Sequence, residues 1–214
     1  MQLTVQLQYQ KLDLPLPDNP NARPGQMLVY GGSSAMGTMV IQFAKMSRYE
    51  VITTCSPKNF DLCKSFGADR VFDYNEPDTP KQIRALSKES LKLCIDCIST
   101  DTTAAFCAQV LSPGAIYSGI LLAKCPRDDV ESVLTLGYSF LGEPWEQFGV
   151  LNPASKEDFE FSKNFAELSE RFLQEGKIKP HPVSVREGGL DAIPAMLEEL
   201  RAKKISGAKI VVRV

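Results

Sequence analysis

The stretch Val29-Tyr30-Gly31-Gly32-Ser33-Ser34-Ala35-Met36-Gly37 constrains this chain more than any other. A β-branched and aromatic strand runs into small residues and then into a helical apolar pattern. Met36, Met39, Val40, Phe43 and Ala44 fall on one helix face, with Lys45 near its end. Small residues in such a turn let the backbone approach a pyrophosphate, and the free N–H groups of the following helix attract its charge. The fit to G-x-G-x-x-G takes Gly32 and Gly37 as the outer glycines and puts Ser34 at the middle position, where it allows slightly less close approach but adds a hydroxyl donor. Gly-Ser clusters are also ordinary turn punctuation, so the motif by itself leaves both readings open.

Its context favours the first. Glu50 to Thr54 reads as a second β-branched strand, which completes a strand-helix-strand crossover of the usual length. An NAD-preferring site places an acidic residue about twenty positions beyond the glycines to hold the ribose hydroxyls. Here that region is Cys55-Ser56-Pro57-Lys58-Asn59, without a carboxylate. Ser56 and Asn59 offer donors and Lys58 a cation, which suits the extra ribose phosphate of NADP. Ser56-Pro57 also reads as a plain helix N-terminus, and the two readings are compatible. Asp61 falls inside the helix and is expected to face solvent.

The runs VYGGSSAMGTMVIQFAK and VITTCSPKNFDLCKSFGADRVFDY resemble the medium-chain dehydrogenase/reductase superfamily, and within it the zinc-independent trans-acting enoyl reductases of fungal polyketide pathways. LGYSFLGEPWEQFG and EGKIKPHPVSVREGGLDAIPAMLEELRAKKISGAKIVVRV resemble the same group, so the likeness covers nearly the whole chain. Members of that superfamily begin with a GroES-like catalytic domain, most of which this chain is expected to lack.

The resemblance implies that Ser33, Ser34, Ala35 and Met36 face the pyrophosphate and that Ser56, Pro57, Lys58 and Asn59 surround the ribose phosphate. It puts Tyr74 on the adenosine side, whereas the residues alone make Tyr74 a strand-end tyrosine with a packed ring and a wet hydroxyl. It places Ile120 and Leu121 at the nicotinamide half, Gly142, Glu143, Pro144 and Trp145 in a substrate-facing loop, and Ile205 and Ser206 in a late turn over the cofactor.

Further along, Asn75 to Asp78 reads as a turn, Lys81 to Ser87 as a short helix and Leu91 to Ile95 as a buried strand. Thr102 to Leu111 follows as a helix, and Ala115 to Gly119 as another strand after the turn at Pro113-Gly114. The fold class is therefore α/β, a doubly wound parallel Rossmann sheet. Val130 to Phe140 is expected to be a further strand with its approach. Lys156 to Gln174 reads as a helix that buries Phe161, Phe165, Leu168 and Phe172 and stops at Gly176. Ile178 to Val185, Leu190 to Ala202 and Lys209 to Val214 form a strand-helix-strand remnant of the GroES-like domain. This divides the chain into a lead-in at 1–24, an NADP-binding domain at 25–150 and a helical segment with a partial GroES-like return at 151–214. Exposed edges favour a homodimer or partner docking.

Lysine and arginine number 24 against 26 acidic residues, a formal charge of −2 that implies neither nucleic acid nor anionic membrane as partner. At the N-terminus Leu3, Val5 and Leu7 alternate with polar residues where a secretory signal needs an unbroken apolar core, and no run is long enough to span a bilayer, so a cytoplasmic location is expected. Cys94 and Cys97 have a knuckle's gap, but they lie in an apolar strand with no second pair at zinc-ribbon spacing. Buried thiols and no metal are the expectation. Cys55, near a helix N-terminus, is the thiol whose pKa could be lowered. His181, the one histidine, sits among prolines and reads as an exposed loop residue.

No catalytic acid or base stands out, and hydride transfer needs little, because the cofactor carries the chemistry. Two functions compete. One is an NADP(H)-dependent enoyl reductase acting on a small or carrier-bound α,β-unsaturated polyketide, serving a polyketide synthase. The other is a shortened non-redox relative acting as a cyclase, isomerase or accessory subunit.

Overall fold

The computed structural model describes residues 2–22, 25–147 and 149–214, with Gln2 and Leu3 described by their backbone only. The expected boundary at 24/25 and Phe148 of the third quoted run touch residues outside the described ones.

The strands are β1 (Gly25–Tyr30), β2 (Tyr49–Cys55), β3 (Arg70–Asp73), β4 (Leu93–Asp96), β5 (Ala115–Gly119) and β6 (Val130–Leu134). They form one sheet in the order β3-β2-β1-β4-β5-β6, parallel at every pairing. This is a doubly wound Rossmann sheet whose strand order reverses between β1 and β4. Helices α2 (Ala35–Met46), α3 (Phe60–Ser65), α4 (Thr79–Leu86) and α5 (Asp101–Val110) connect the strands.

Both sheet faces are covered, which is why the central strands read as continuous apolar runs. Along β1, Met27 and Val29 enter a core shared with Phe43 of α2, while Leu28 and Tyr30 enter the opposite core, shared with Ala104 and Cys107 of α5. Helix α6 (Lys156–Gln174) covers the first face and buries Phe165 and Phe172, with Phe161 and Leu168 half-buried beside them.

Two elements differ from the sequence expectation, and the lead-in holds a third that it left unassigned. The alternating N-terminus is a helix, α1 (Gln2–Lys11), packed on α6 and α2. Tyr9 anchors it, stacking on Phe43 and Phe165 and hydrogen bonding Ser47 Oγ at 2.9 Å. The strand expected to run from Val130 to Phe140 ends at Leu134, and Gly137–Leu141 is a 3-10 turn that packs on α6. Trp145 starts a short hairpin, β7 (Trp145–Gln147) and β8 (Val150–Asn152).

The C-terminal strand-helix-strand is present as β9 (Val183–Arg186), α7 (Ile193–Arg201) and β10 (Lys209–Val212), with β9 and β10 paired in parallel. Among the described residues no helix is long and apolar enough to cross a membrane.

Candidate functional site

The glycine-rich turn is held by packing on β2. Gly31 has φ +80°, a left-handed conformation that glycine adopts without strain. A Cβ on Gly32 would overlap Thr53 Oγ1, and one on Gly37 would overlap the Gly31 carbonyl. The two outer glycines therefore let strand, loop and helix close on one another. Ser34 is the N-cap of α2, its hydroxyl oxygen accepting from Gly37 N–H at 3.0 Å. The first-turn amides of Ala35 and Met36 precede any intrahelical partner and remain available to an anion.

In front of this turn lies a cleft of about 700 Å³. It opens at the carboxyl ends of the strands, beside the reversal between β1 and β4, where open α/β sheets bind ligands. Tyr30, Gly31, Ser33, Ser34 and Ala35 form its floor; Ser56 and Tyr74 close the β2–β3 side. Ile98 and Thr103 come from beyond β4, and Leu200, Ile205 and Ser206 lead into a lip that continues through β10. Tyr74 is half-exposed, its ring 6.2 Å from that of Tyr30 and its hydroxyl 3.2 Å from Ser56 Oγ. Its ring is packed and its hydroxyl stands at the cleft.

The cleft thus brings together Ser33, Ser34, Ala35, Ser56, Tyr74, Ile205 and Ser206 from the sequence expectation. It does not include the others. Gly32 and Gly37 are packed behind it, and Met36 is buried in the core. Pro57 and Lys58 are exposed on a 3-10 turn just outside it. Asn59 is buried, and its amide donates to Ser206 Oγ at 2.8 Å, tying the late turn to the β2–α3 corner. Gly207 makes this approach possible: it has φ +66°, and a Cβ there would lie 2.7 Å from Asn59 Oδ1. Ile120 is half-buried with its N–H on Ser99 Oγ at 2.8 Å, and Leu121 is exposed. Gly142, Glu143 and Pro144 lie outside the cleft, and Trp145 lines a separate hollow of about 330 Å³ with Lys11, Ser139 and Asp158.

Two single-residue expectations are corrected. His181 is not an exposed loop residue: it is 8% exposed, its Nδ1 lies 3.1 Å from Thr38 Oγ1, and it lines the cleft. Burial, and then the nearby Lys209, hold its pKa below the usual histidine range. Cys55 also lines the cleft, but its thiol faces that of Cys63 at 3.5 Å. That contact, together with burial, pushes the Cys55 pKa up and keeps the thiol protonated. Asp61 projects into solvent as expected.

Asp96, at the end of β4, is a residue the sequence reading missed. Its buried carboxylate accepts from Ile98 N–H and Ser99 N–H at 2.9 Å, from Thr103 Oγ1 at 2.6 Å and from the Tyr117 hydroxyl at 2.9 Å. It therefore fixes the turn that carries Ile98 and Thr103 to the cleft. Burial, and then Asp96, push the Tyr117 pKa up. An aspartate closing a buried strand just before a Ser-Thr helix cap was the available signal.

A family model described as zinc-binding dehydrogenase matches residues 35–124. A trans-enoyl reductase from Alternaria alternata is 42% identical over 211 residues, covering 98% of this chain and 61% of its own length. Another from Gibberella zeae is 40% identical over 216 residues, covering 95% and 58%. This chain is similar to these trans-enoyl reductases over nearly its whole length.

It spans about three fifths of the length of these relatives. The same fold is seen in the solved CurK enoyl reductase, with TM-score 0.70 at 16% identity over 99% of this chain and 60% of that one. A Pseudomonas syringae quinone oxidoreductase gives 0.73 at 17% identity, covering 99% and 62%. Zinc does not fit the described residues of this chain. No three His, Cys, Asp or Glu side chains converge among the described residues, Cys94 Sγ faces Cys107 Sγ at 3.4 Å, and His181 is bound to Thr38.

Proposed function

We propose that this chain binds NADP(H) in the cleft at the β1–β4 reversal and serves the reduction of an α,β-unsaturated polyketide-type substrate, small or carrier-bound, alongside a polyketide synthase. The observation that carries the reading is the lining of that cleft. Donors from the α2 turn, from Ser56 and Tyr74 and from Ser206 converge on one space, and no carboxylate lines it. In this division of the chain, residues 25–150 hold the nucleotide and 151–214 supply the late turn over it.

Ser33, Ser34 and the first-turn amides of α2 take the diphosphate. Ser56 and Lys58 take the 2′-phosphate, which an acidic residue at the end of β2 would repel. Tyr74 lies along the adenosine. When bound, NADPH supplies a hydride for the β-carbon of the unsaturated substrate. The chain's own part is to fix the turn through the Ser34 cap, to hold Ile98 at the reversal through Asp96, and to keep the late turn closed through Asn59.

Titrating the purified chain with NADPH and with NADH, by calorimetry or nicotinamide fluorescence, tests the reading. Selective NADPH binding is expected. Absence of binding by either would reject it and move the search to a non-redox role.

A further inference from the structure

The cleft carries charge of one sign. Lys209 and His181 line it and no Asp or Glu does, although the chain is net negative. Lys177, Arg186, Arg201 and Arg213 in this part of the fold each pair with a carboxylate, while Lys179, Lys203 and Lys204 have no such pairing among the described residues but do not line the cleft. Lys209, at the start of β10, has no such partner among the described residues.

His181 is seated for an anion as well. Thr38 Oγ1 donates to the Ala35 carbonyl at 3.2 Å, which leaves it to accept from His181 Nδ1–H and puts the ring's free lone pair on Nε2. Nε2 has no hydrogen-bond partner among the described residues. Thr38 lies four residues past the Ser34 cap, about 6 Å along the helix, so His181 sits against the first two turns of α2 and lines the same cleft as Ser34 and Ala35. The charged groups around it are Lys209 and, on its own segment, Lys179, whose ammonium sits over the Phe66 ring. α2 presents Thr38 and Met39 and α6 presents Leu173, none of which titrates.

We propose that His181 and Lys209 form, with the N-terminal turn of α2, a clamp for a diphosphate group, and that filling it draws a proton onto His181 Nε2. That the diphosphate belongs to a dinucleotide rests on the function proposed above; the clamp does not. The cleft's cations then come from the C-terminal strand pair, and Lys58 is left to the 2′-phosphate.

His181 is the only histidine, so its Cε1–H gives a single NMR signal whose pH titration reports on the clamp directly. Inorganic pyrophosphate is expected to raise the titration midpoint by about one pH unit. Lys209→Gln should reduce that shift and weaken NADPH and NADH by the same factor, about tenfold. A midpoint unmoved by millimolar pyrophosphate overturns the clamp in the unaltered chain, independently of how any variant folds. Loss of NADPH affinity alone in Lys209→Gln also overturns it, because Lys209 would then serve the 2′-phosphate. A response to pyrophosphate with none to either dinucleotide keeps the clamp and rejects the dinucleotide reading.

Discussion

Ser34 shows how much of a site one residue position can carry. The motif puts it where a dinucleotide turn has its middle glycine, and the fold makes it the helix cap as well, its oxygen satisfying Gly37 N–H. Ser34→Ala is expected to cost about 1 kcal/mol of stability in chemical denaturation. Lys58 was legible as a cation beyond β2, but its exposure limits its effect. Lys58→Ala should weaken NADPH by about 1 kcal/mol and leave NADH unchanged, which calorimetry with both cofactors would show. Equal losses would reject the 2′-phosphate assignment. Asp96 showed in the sequence only as an aspartate closing a buried strand before a helix cap, because its role depends on four donors that the closed β4–α5 turn and β5 bring to it. Asp96→Asn removes the charge from a buried acceptor and replaces one acceptor oxygen with a donor. A loss of about 3 kcal/mol in the denaturation midpoint analysis is the expected result.

Among the elements, the helices with an amphipathic period are the ones the sequence located well. Lys156–Gln174 matches its expected span, since its phenylalanine spacing fits one buried face and Gly176 follows with φ +68°. α1 is the opposite case. Its alternation of Leu3, Val5, Leu7 and Tyr9 with polar residues has the period of a strand, and winding it into a helix buries Gln6 and Gln8, whose side-chain oxygens lack partners among the described residues. Tertiary packing outweighs that pattern: Tyr9 packs against the touching rings of Phe43 and Phe165, and Lys11 pairs with Asp158 at 3.0 Å. Tyr9→Ala should cost about 3–5 kcal/mol and Tyr9→Phe about 1 kcal/mol, the first from lost packing and the second from the lost bond to Ser47. A small effect of Tyr9→Ala in urea unfolding would mean that α1 is not part of the cooperative core.

For the whole molecule, the C-terminal strand pair is attached to the sheet domain through α2. Gln42 grips the Lys179 backbone twice, donating to its carbonyl at 3.1 Å and accepting its N–H at 2.8 Å, and His181 follows on Thr38. Neutral His181 belongs to this attachment. Its folded pKa lies below the ordinary 6.5, so its contribution to stability is present above that value and is lost as pH falls through the lower folded pKa. Thermal melts in phosphate-free buffer should show stability dropping below about pH 6.5, and His181→Gln should flatten that part of the profile. An unchanged profile would place the ring outside the attachment.

The Rossmann alternation, the glycine-rich turn and the missing acid after β2 can be read from the sequence alone, because strand composition, helix period and glycine spacing are local and act over a few residues. It also supplied the strand-helix-strand at the C-terminus. That Asn59 holds Ser206, that His181 is buried on Thr38 and that Lys209 rather than Lys58 lines the cleft follow from long-range packing. Those contacts join segments more than a hundred residues apart. The chain around His181 and Lys209 has the same local chemistry whether exposed or buried, and which state it takes is set by the surface of α2 against which it packs.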